Sequence, residues 1–269
     1  MLTFLSPAMP SVARSGKFSE CGALISRLSA LSKLSADDIH LLQGLGRFTK
    51  QHSARTEILT GEERFKPRIL VSGWASQQRL LSDGRRQIVN FLLPGDIVGS
   101  LEQLGPVLDC ESVALTNVVT ADASTLATTV EKGDFRRAGL ARALRLMGQQ
   151  ETALMRDQIV RLGRQTAYER LVHLMLELHC RLQAAGLATE YDFAMPLTQD
   201  ILADALGLSI VHVNRTLQQA RRDGLLEIRS GQVKIIDLKL MQTVADWVSV
   251  PSSRIPALPV ELRNIGKAW

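Results

Sequence analysis

Residues 197–226 read LTQDILADALGLSIVHVNRTLQQARRDGLL and contain the strongest structural signal in the chain. Apolar side chains recur at helical spacing in two short runs, and this periodicity predicts two helices. The runs are Ile201, Leu202, Ala205 and Leu206, then Val213, Leu217 and Ala220. Gly207 stands between them, where a residue without a Cβ enters the left-handed region at little cost. Thr198 and Ser209 offer oxygens that can cap the two helices. We therefore expect a helix-turn-helix.

The second of these helices is basic, because it contains three arginines and no acidic residue. The arginines are Arg215, Arg221 and Arg222. A helix-turn-helix lays such a helix in the major groove of DNA. The alternative is an ordinary pair of packed helices with a solvated basic face.

A β-hairpin is predicted directly after this helix, in GLLEIRSGQVKIIDL. Two short β runs, residues 225–229 and 233–236, flank a Ser230-Gly231 turn. A hairpin in this position is a wing, and it favours DNA binding over the ordinary helix pair.

The composition of the 269-residue chain adds a modest preference for a polyanionic partner. Lys and Arg number 32 against 27 Asp and Glu, which gives a net charge of +5. Aromatic residues make up 4%, too few for the base-stacking surfaces of single-strand or RNA-binding proteins. The three cysteines, Cys21, Cys110 and Cys180, lie far apart, so neither a disulfide framework nor a metal site is predicted.

Membrane attachment is not predicted. No run of 18 apolar residues occurs, and no basic segment precedes the apolar start of the chain. We therefore expect a cytoplasmic protein.

Composition and periodicity divide the chain into five predicted segments. They are a flexible N-terminal arm (1–20), a β-domain that begins with two short helices (21–131), a long helix (132–165), the winged helix-turn-helix domain (166–248) and a C-terminal tail (249–269). In the β-domain, Asp83-Gly84 between two apolar runs predicts a hairpin, and Pro94-Gly95-Asp96 predicts the next corner. Several antiparallel strands at this spacing predict a small sandwich or barrel.

The long helix carries apolar residues at heptad spacing, which is typical of a two-stranded coiled coil. The predicted seam consists of Leu140, Leu144, Met147 and Leu154. We expect a homodimer through this seam, since a winged helix usually needs a twin to reach two half-sites on DNA. Glu151 and Gln158 interrupt the pattern, so a single helix packed on its own β-domain is the alternative.

The order of these segments resembles that of the Crp/Fnr family of bacterial transcription regulators. The likeness covers roughly residues 24–244 and depends on SGWASQQRLLSDGRRQIVNFLLPGDIVG and LTQDILADALGLSIVHVNRTLQQARRDGLL. It implies an α+β fold: a cyclic-nucleotide-binding-like β-roll (jelly roll), a long dimerisation helix and a C-terminal winged helix-turn-helix. It also implies a homodimer that binds a palindromic operator in double-stranded DNA and contacts RNA polymerase.

The resemblance assigns roles to residues of the predicted recognition helix, which runs from about Ser209 to Arg221. Ile210, Val211 and Arg215 occupy the places of the family pattern [RV]-E-x-x-x-R. Arg215 matches it and is expected to contact the O6 and N7 of guanine, whereas Val211 replaces the Glu that would accept from cytosine.

Further DNA contacts are implied around these three residues. Asn214 can reach an adenine edge, and His212 resembles a residue that faces phosphate. Thr198, Gln199 and Ser209 resemble phosphate contacts, which set register without reading sequence. Arg221 completes the predicted set.

The effector pocket is where this chain departs from the family pattern. Members that bind cyclic AMP hold its phosphate with Gly-Glu and Arg-Ser pairs, whereas this chain has Gly99-Ser100 and Glu111-Ser112. A carboxylate stands where a cation is required, so we expect no cyclic-AMP binding of the usual kind.

The sequence therefore does not identify the effector or other signal that controls the protein. An iron–sulfur cluster is not expected, because Cys21 alone cannot supply its ligands. Haem stays open through His40, His52 or a cysteine as axial ligand, and redox control stays open through Cys110 or Cys180.

Two other functions are weighed against a gated regulator. A metal-dependent β-barrel enzyme would need two or three His and a carboxylate inside the barrel, and residues 48–129 contain only His52. A regulator without a small ligand, controlled by its abundance or by thiol oxidation, is compatible with the missing cation.

Overall fold

Two helices and a β-roll form the N-terminal half of the protein, in a computed structural model that describes residues 21–61, 66–101, 110–132 and 135–247. The predicted arm (1–20) and the predicted tail (249–269) lie outside these residues. The helices are α1 (Gly22–Leu31), α2 (Ala36–Leu45) and, after the strands, α3 (Ser124–Lys132). The strands are β1 (Thr49–His52), β2 (Arg68–Ser72), β3 (Ala75–Leu80), β4 (Arg86–Leu92), β5 (Ile97–Val98), β6 (Glu111–Ala114) and β7 (Val118–Asp122).

The strands of the roll pair in two antiparallel sheets, ordered β1-β7-β2-β5 and β4-β3-β6 among the described residues. The predicted Asp83-Gly84 hairpin is confirmed, since β3 pairs with β4 from Leu80 opposite Arg86 to Ala75 opposite Leu92. Buried apolar residues of the roll form one cluster between its sheets. They are Ile58, Leu59, Leu70, Ala75, Leu92, Val98, Ala114 and Val118.

The predicted corner at Pro94-Gly95-Asp96 is also confirmed, and it brings the roll against α1. Gly95 has φ +90°, and a Cβ placed on it would lie 3.0 Å from the backbone of Ala23 and Leu24. Both the dihedral angle and this close approach require glycine. The corner therefore holds Asp96 directly beside α1.

The long helical region consists of two helices, as predicted. After a 3₁₀ turn at Phe135–Arg137, α4 spans Ala138–Arg164, and α5 spans Ala167–Ala184. Thr166 caps α5 through a capping box with Glu169: the Glu169 N–H donates to Oγ1 of Thr166, and the Thr166 N–H donates to a Glu169 carboxylate oxygen. This cap satisfies N–H groups that a new helix leaves without partners, and it starts α5 directly after α4.

The dimer seam predicted on α4 is wrong. Leu140, Leu144 and Met147 are at most 3% exposed, and they pack in one cluster with residues of α1, α2 and α3, among them Leu24 and Leu126. Leu154 is half-buried in the contact between α4 and the rest of its own chain. Heptad spacing predicts an apolar face on a helix but not what covers it, and here the same chain covers it.

The C-terminal half is a winged helix-turn-helix domain. Its elements after α5 are β8 (Asp192–Ala194), α6 (Gln199–Leu206), α7 (Ile210–Arg222), β9 (Leu226–Arg229), β10 (Gln232–Ile235) and α8 (Leu238–Val244). The wing sheet has the order β8-β10-β9, so the predicted hairpin is confirmed and gains a third strand.

The winged domain and the roll share one hydrophobic core. Trp74, Ile88, Phe91 and Leu93 of the roll belong to the same cluster of buried residues as α5, α6 and α7. Because apolar surface buried between them stabilises both, the two halves of the chain are packed as a unit. No helix in the described part of the chain combines the length and apolar character needed to cross a bilayer.

Candidate nucleic-acid interface

The turn between α6 and α7 has the geometry that the sequence predicts. Gly207 has φ +63°, and the N–H of Leu208 donates to the carbonyl of Ala203 (3.1 Å). Oγ1 of Thr198 accepts from the Ile201 N–H (3.4 Å), and Oγ of Ser209 accepts from the His212 N–H (3.2 Å). Both predicted caps are confirmed, and they fix where each helix begins.

Helix α7 has one buried and one exposed face. The buried face packs on the rest of the domain and consists of Val213, Thr216, Leu217 and Ala220. The residues predicted to contact DNA on this helix are all exposed: Ile210, Val211, His212, Asn214, Arg215 and Arg221. Ile210 and Val211 are 50% and 62% exposed although apolar, which suits contact with thymine methyl groups.

Gln218 belongs to this exposed face, although the sequence reasoning did not name it. Its Nε2 donates to Oδ1 of Asn214 (3.1 Å), one helical turn earlier. The spacing of four residues from Asn214 was the signal that could have identified it. The two amides together present donors and acceptors of the kind that read adenine.

Arg221 also holds the wing. One N–H of its guanidinium donates to the carbonyl of Ile228 in β9 (2.9 Å), and the side chain remains exposed. This contact fixes the wing relative to α7. That Arg221 also contacts DNA stays a prediction.

The N-termini of α6 and α7 differ as sites for a phosphate. Unpaired N–H groups and the helix dipole attract anions to any helix N-terminus. The first turn of α7 contains no acidic residue, whereas the first turn of α6 contains Asp200. Ser209 is therefore better placed for a phosphate than Thr198 and Gln199, although all three are exposed.

The predicted effector residues lie at the edge of the roll. Gly99, Ser100 and Glu111 are exposed, and Ser112 is buried opposite Gln77 in the pairing of β6 with β3. Residues 102–109, which connect the two pairs, lie outside the described part of the chain. That the four residues form a pocket stays a prediction.

A buried cation inside the roll was missed by the sequence reasoning. Arg68 is 8% exposed, and its Nε donates to Oγ1 of Thr120 (2.6 Å). Nε2 of His52 lies 3.0 Å from the same hydroxyl, so this candidate haem ligand already contacts Thr120. The other candidate, His40, is exposed on α2. Arg68 stands in the run KPRILV, where a charge within a strand was the available signal.

The two thiols considered for redox control differ in their surroundings. Cys110 is exposed at the start of β6. Cys180 on α5 is also exposed, but desolvation of its sulfur and the negative charge of Glu177 raise the pKa of its thiol. A raised pKa lowers the thiolate fraction and hence reactivity, so Cys180 is the weaker candidate.

A network of buried charges connects the roll to the winged domain. Both Arg27 of α1 and Arg181 of α5 bind the Asp96 carboxylate. Arg181 also binds Glu177, which in turn binds Arg161 of α4. Burial alone would raise the pKa of Asp96 and that of Glu177, but the neighbouring guanidinium groups outweigh it and hold both below their usual values. Both carboxylates are therefore charged at neutral pH.

Two ionisable groups beside this network have strongly shifted pKa values. Burial, aided by the charge of Asp96, raises the pKa of Glu151 to about 7. Burial, aided by Arg161, lowers the pKa of His173 to about 4. Glu151, which interrupts the heptad pattern, thus faces its own chain.

An exposed stripe of small and apolar residues runs along another side of α4. It consists of Gly148, Thr152, Met155 and Ile159, which are spaced four, three and four residues apart. All four are exposed, Ile159 by 70% and Met155 by 38%. This alternation of four and three is the spacing of a coiled-coil seam, about a third of a turn away from the buried face.

Comparisons with known proteins agree with this geometry. The model of a Crp-like helix-turn-helix domain matches residues 169–244. The chain is 28% identical over 244 residues to the nitrogen fixation regulation protein FixK of Bradyrhizobium diazoefficiens, across 90% of this chain and 99% of that protein. It is 30% identical over 185 residues to FixK of Azorhizobium caulinodans, across 66% of this chain and 71% of that protein. The solved structure of FixK2 from Bradyrhizobium japonicum matches with a TM-score of 0.62 at 27% identity, over 75% of this chain and 98% of that one.

Proposed function

The chain belongs to the Crp/Fnr family of DNA-binding transcription regulators, and from this premise we propose that it binds a palindromic operator as a homodimer without requiring cyclic AMP. The observation that carries the proposal is the exposed face of α7, which presents Arg215 and Asn214 with no acidic residue on the helix. The protein would act in the cytoplasm and contact RNA polymerase from its promoter site.

The homodimer is supported by the exposed stripe on α4. Met155 and Ile159 would pack against the same residues of a second copy in a parallel pair of helices. Such a pair would hold two recognition helices with the two-fold symmetry of a palindrome. Half-sites would then lie about 34 Å apart, which is one turn of DNA.

Selection of bound duplexes from random DNA tests this function. We expect a palindrome with a guanine in each half-site, and binding that weakens steeply as salt is raised, because cations on the protein displace counterions from phosphates. Recovery of sequences without a common motif would contradict the proposal. Adding cyclic AMP should leave the affinity for the selected operator unchanged.

Replacing Arg215 by alanine is expected to weaken operator binding by at least roughly 30-fold, since a bidentate contact with guanine contributes about 1–3 kcal/mol and the dimer loses one contact in each half-site. Preference at one base pair of each half-site should relax at the same time. The measurement is a fluorescence anisotropy titration against the operator and its single-base variants.

Arg222→Ala is the matched control, since Arg222 is an exposed arginine at the end of the same helix. It should weaken binding to all sequences by about the same factor, and this factor should be smaller than that of Arg215→Ala on the operator. If Arg215→Ala keeps the full base preference of the unmodified protein, the assignment of Arg215 to guanine is wrong.

A regulator that needs no small ligand is the second candidate, and the packing of the roll on the winged domain favours it. The roll is packed on the winged domain through a shared core of buried residues. Strong operator binding by the purified, reduced protein would support this candidate. Binding that appears only after a cell extract is added would favour an unknown effector, and loss of binding with oxidant would favour thiol control.

A further inference from the structure

Gln158 lies where the long helix, the roll and the helix-turn-helix meet. It belongs to α4 and is 6% exposed. Its Nε2 donates to the carbonyl of Ala205 in α6 (2.9 Å) and lies 3.4 Å from the carbonyl of Ile88 in β4. One side-chain amide thus connects three parts of the fold.

The carbonyl that Gln158 binds stands at the C-terminal end of α6, where the last carbonyls have no partner within the helix. Ala205 also accepts from Nε2 of Gln87 in β4 (3.4 Å), and Leu206 accepts from Nη1 of Arg170 in α5 (3.1 Å). The end of α6 is therefore held by side chains of three other elements.

An ion pair fastens the same end of α6 to the roll. Nε and Nη2 of Arg86 in β4 donate to Oδ2 of Asp204, at 2.8 Å and 2.5 Å. About 30% of each side chain is exposed, so this pair is partly screened, whereas the Gln158 amide is not. The cavity beside the amide measures about 10 Å³, room for roughly one water molecule.

The orientation of α6 decides where α7 points. Leu202 and Leu206 of α6 and Val213 and Leu217 of α7 belong to one buried cluster, so the two helices are packed as a unit. A change in the angle between α4 and α6 would carry the whole recognition helix with it.

We propose that Gln158 is a positioning residue for DNA binding: its amide fixes the helix-turn-helix relative to α4 and thereby sets the spacing of the two recognition helices in the dimer. The inference rests on the proposed homodimer. Gln158 interrupts the apolar heptad pattern because this place requires a hydrogen-bond donor facing two carbonyl oxygens.

The variant Gln158→Glu tests this role, because a carboxylate has the same shape but cannot donate to a carbonyl. Gln150→Glu is the matched control, since Gln150 is exposed on the same helix. Affinity is measured for the selected palindrome, for versions with one base pair added or removed between half-sites, and for an isolated half-site.

At neutral pH we expect Gln158→Glu to bind the palindrome at least roughly tenfold more weakly than the unmodified protein, because a buried carboxylate would face the carbonyl oxygens of Ala205 and Ile88 and repel them, although both oxygens also accept from Nε2 of Gln87. Half-site affinity should stay the same, and the penalty for altered spacing should shrink. Gln150→Glu should match the unmodified protein in all three measurements.

Acid should restore the variant, since a protonated carboxyl group again has an O–H to donate. The site is buried, and burial raises the pKa of a carboxyl group. The charged groups lining the same cavity are Arg161 and Glu177, and the Arg86–Asp204 pair lies at the adjoining end of α6. The quantity to compare is the ratio of the affinity of Gln158→Glu for the palindrome to that of the unmodified protein at the same pH. At about pH 5.5 this ratio should rise towards one, whereas the loss caused by a merely structural defect would persist in acid.

A second variant, Gln158→Met, keeps the length of the side chain and removes the donor without adding a charge. It should relax the spacing preference in the same way and should show no recovery in acid. Circular dichroism and thermal unfolding of both variants establish that they are folded.

The outcomes separate the inference from the proposed function. If the unmodified protein prefers the palindrome but both variants keep its affinity and spacing preference, or lose half-site binding in equal proportion, the role of Gln158 is wrong and the homodimer proposal stands. If the unmodified protein binds the palindrome no better than a half-site, the homodimer proposal fails and the inference fails with it.

Discussion

The variant Asp96→Asn is expected to lower the free energy of unfolding by about 3–5 kcal/mol, the usual cost of removing one partner from a buried ion pair. Asp96 is 2% exposed, and it is the anion that both Arg27 and Arg181 bind. An amide has nearly the same shape, so the loss would come from Arg27 and Arg181 losing the counter-charge that they share, with Glu177 left to Arg181, rather than from a cavity. Chemical denaturation at neutral pH measures it.

Asp83→Asn is the control, because it is the same chemical change in an ion pair at the exposed tip of the β3–β4 hairpin. It should leave stability unchanged within error, since exposed pairs contribute little. Equal effects of the two variants would mean that the buried network does not stabilise the fold.

The effect of Asp96→Asn should depend on pH in a defined direction. Because the pKa of Asp96 is lower in the folded protein, its charge stabilises the fold above the unfolded pKa of about 3.9. This contribution is lost as pH falls through the lower, folded value. The difference between the unmodified protein and the variant should therefore narrow in acid.

Ile159→Glu is expected to convert the dimer into a monomer and to abolish tight operator binding. Burying an isoleucine side chain contributes about 1.5–3 kcal/mol, and a two-fold axis doubles it, so the dimer should dissociate at least roughly 100-fold more readily. Two glutamates facing each other would add repulsion. Analytical ultracentrifugation measures the dissociation constant, and anisotropy measures operator binding.

Val160→Glu is the matched control, since Val160 is the next residue, is also apolar and is 53% exposed, but points about 100° away around the helix. It should stay dimeric and bind the operator. A dimer that survives Ile159→Glu would show that the stripe of Met155 and Ile159 is not the interface.

Local signals in the sequence predicted the parts of the fold that are determined locally. Asp83-Gly84, Gly207, Ser209 and Ser230-Gly231 each impose a backbone conformation or a cap, and each is confirmed. These features need only neighbours in the chain, so they are visible without a structure.

The packing partner of the apolar face of α4 was predicted wrongly, because the periodicity of a helix does not reveal what packs against it. Leu140 and Ile159 both stand at heptad spacing, yet the first is buried in its own chain and the second is exposed. The stripe that contains Leu140 was predicted to form the dimer interface, whereas it packs in the hydrophobic core of its own chain.

Contacts between residues far apart in the sequence could not be predicted from it either. Arg27 and Arg181 lie 69 and 85 residues from Asp96, and Gln158 lies 47 residues from Ala205. No spacing rule connects such positions. The DNA-facing residues of α7 could be named because one helix contains them all.

The core shared by Trp74, Phe91 and the winged domain determines how the protein melts. Separating the two halves would expose apolar surface on both, so neither half retains its full stability without the other. Calorimetry should therefore show a single cooperative transition, with equal calorimetric and van't Hoff enthalpies, instead of two successive ones.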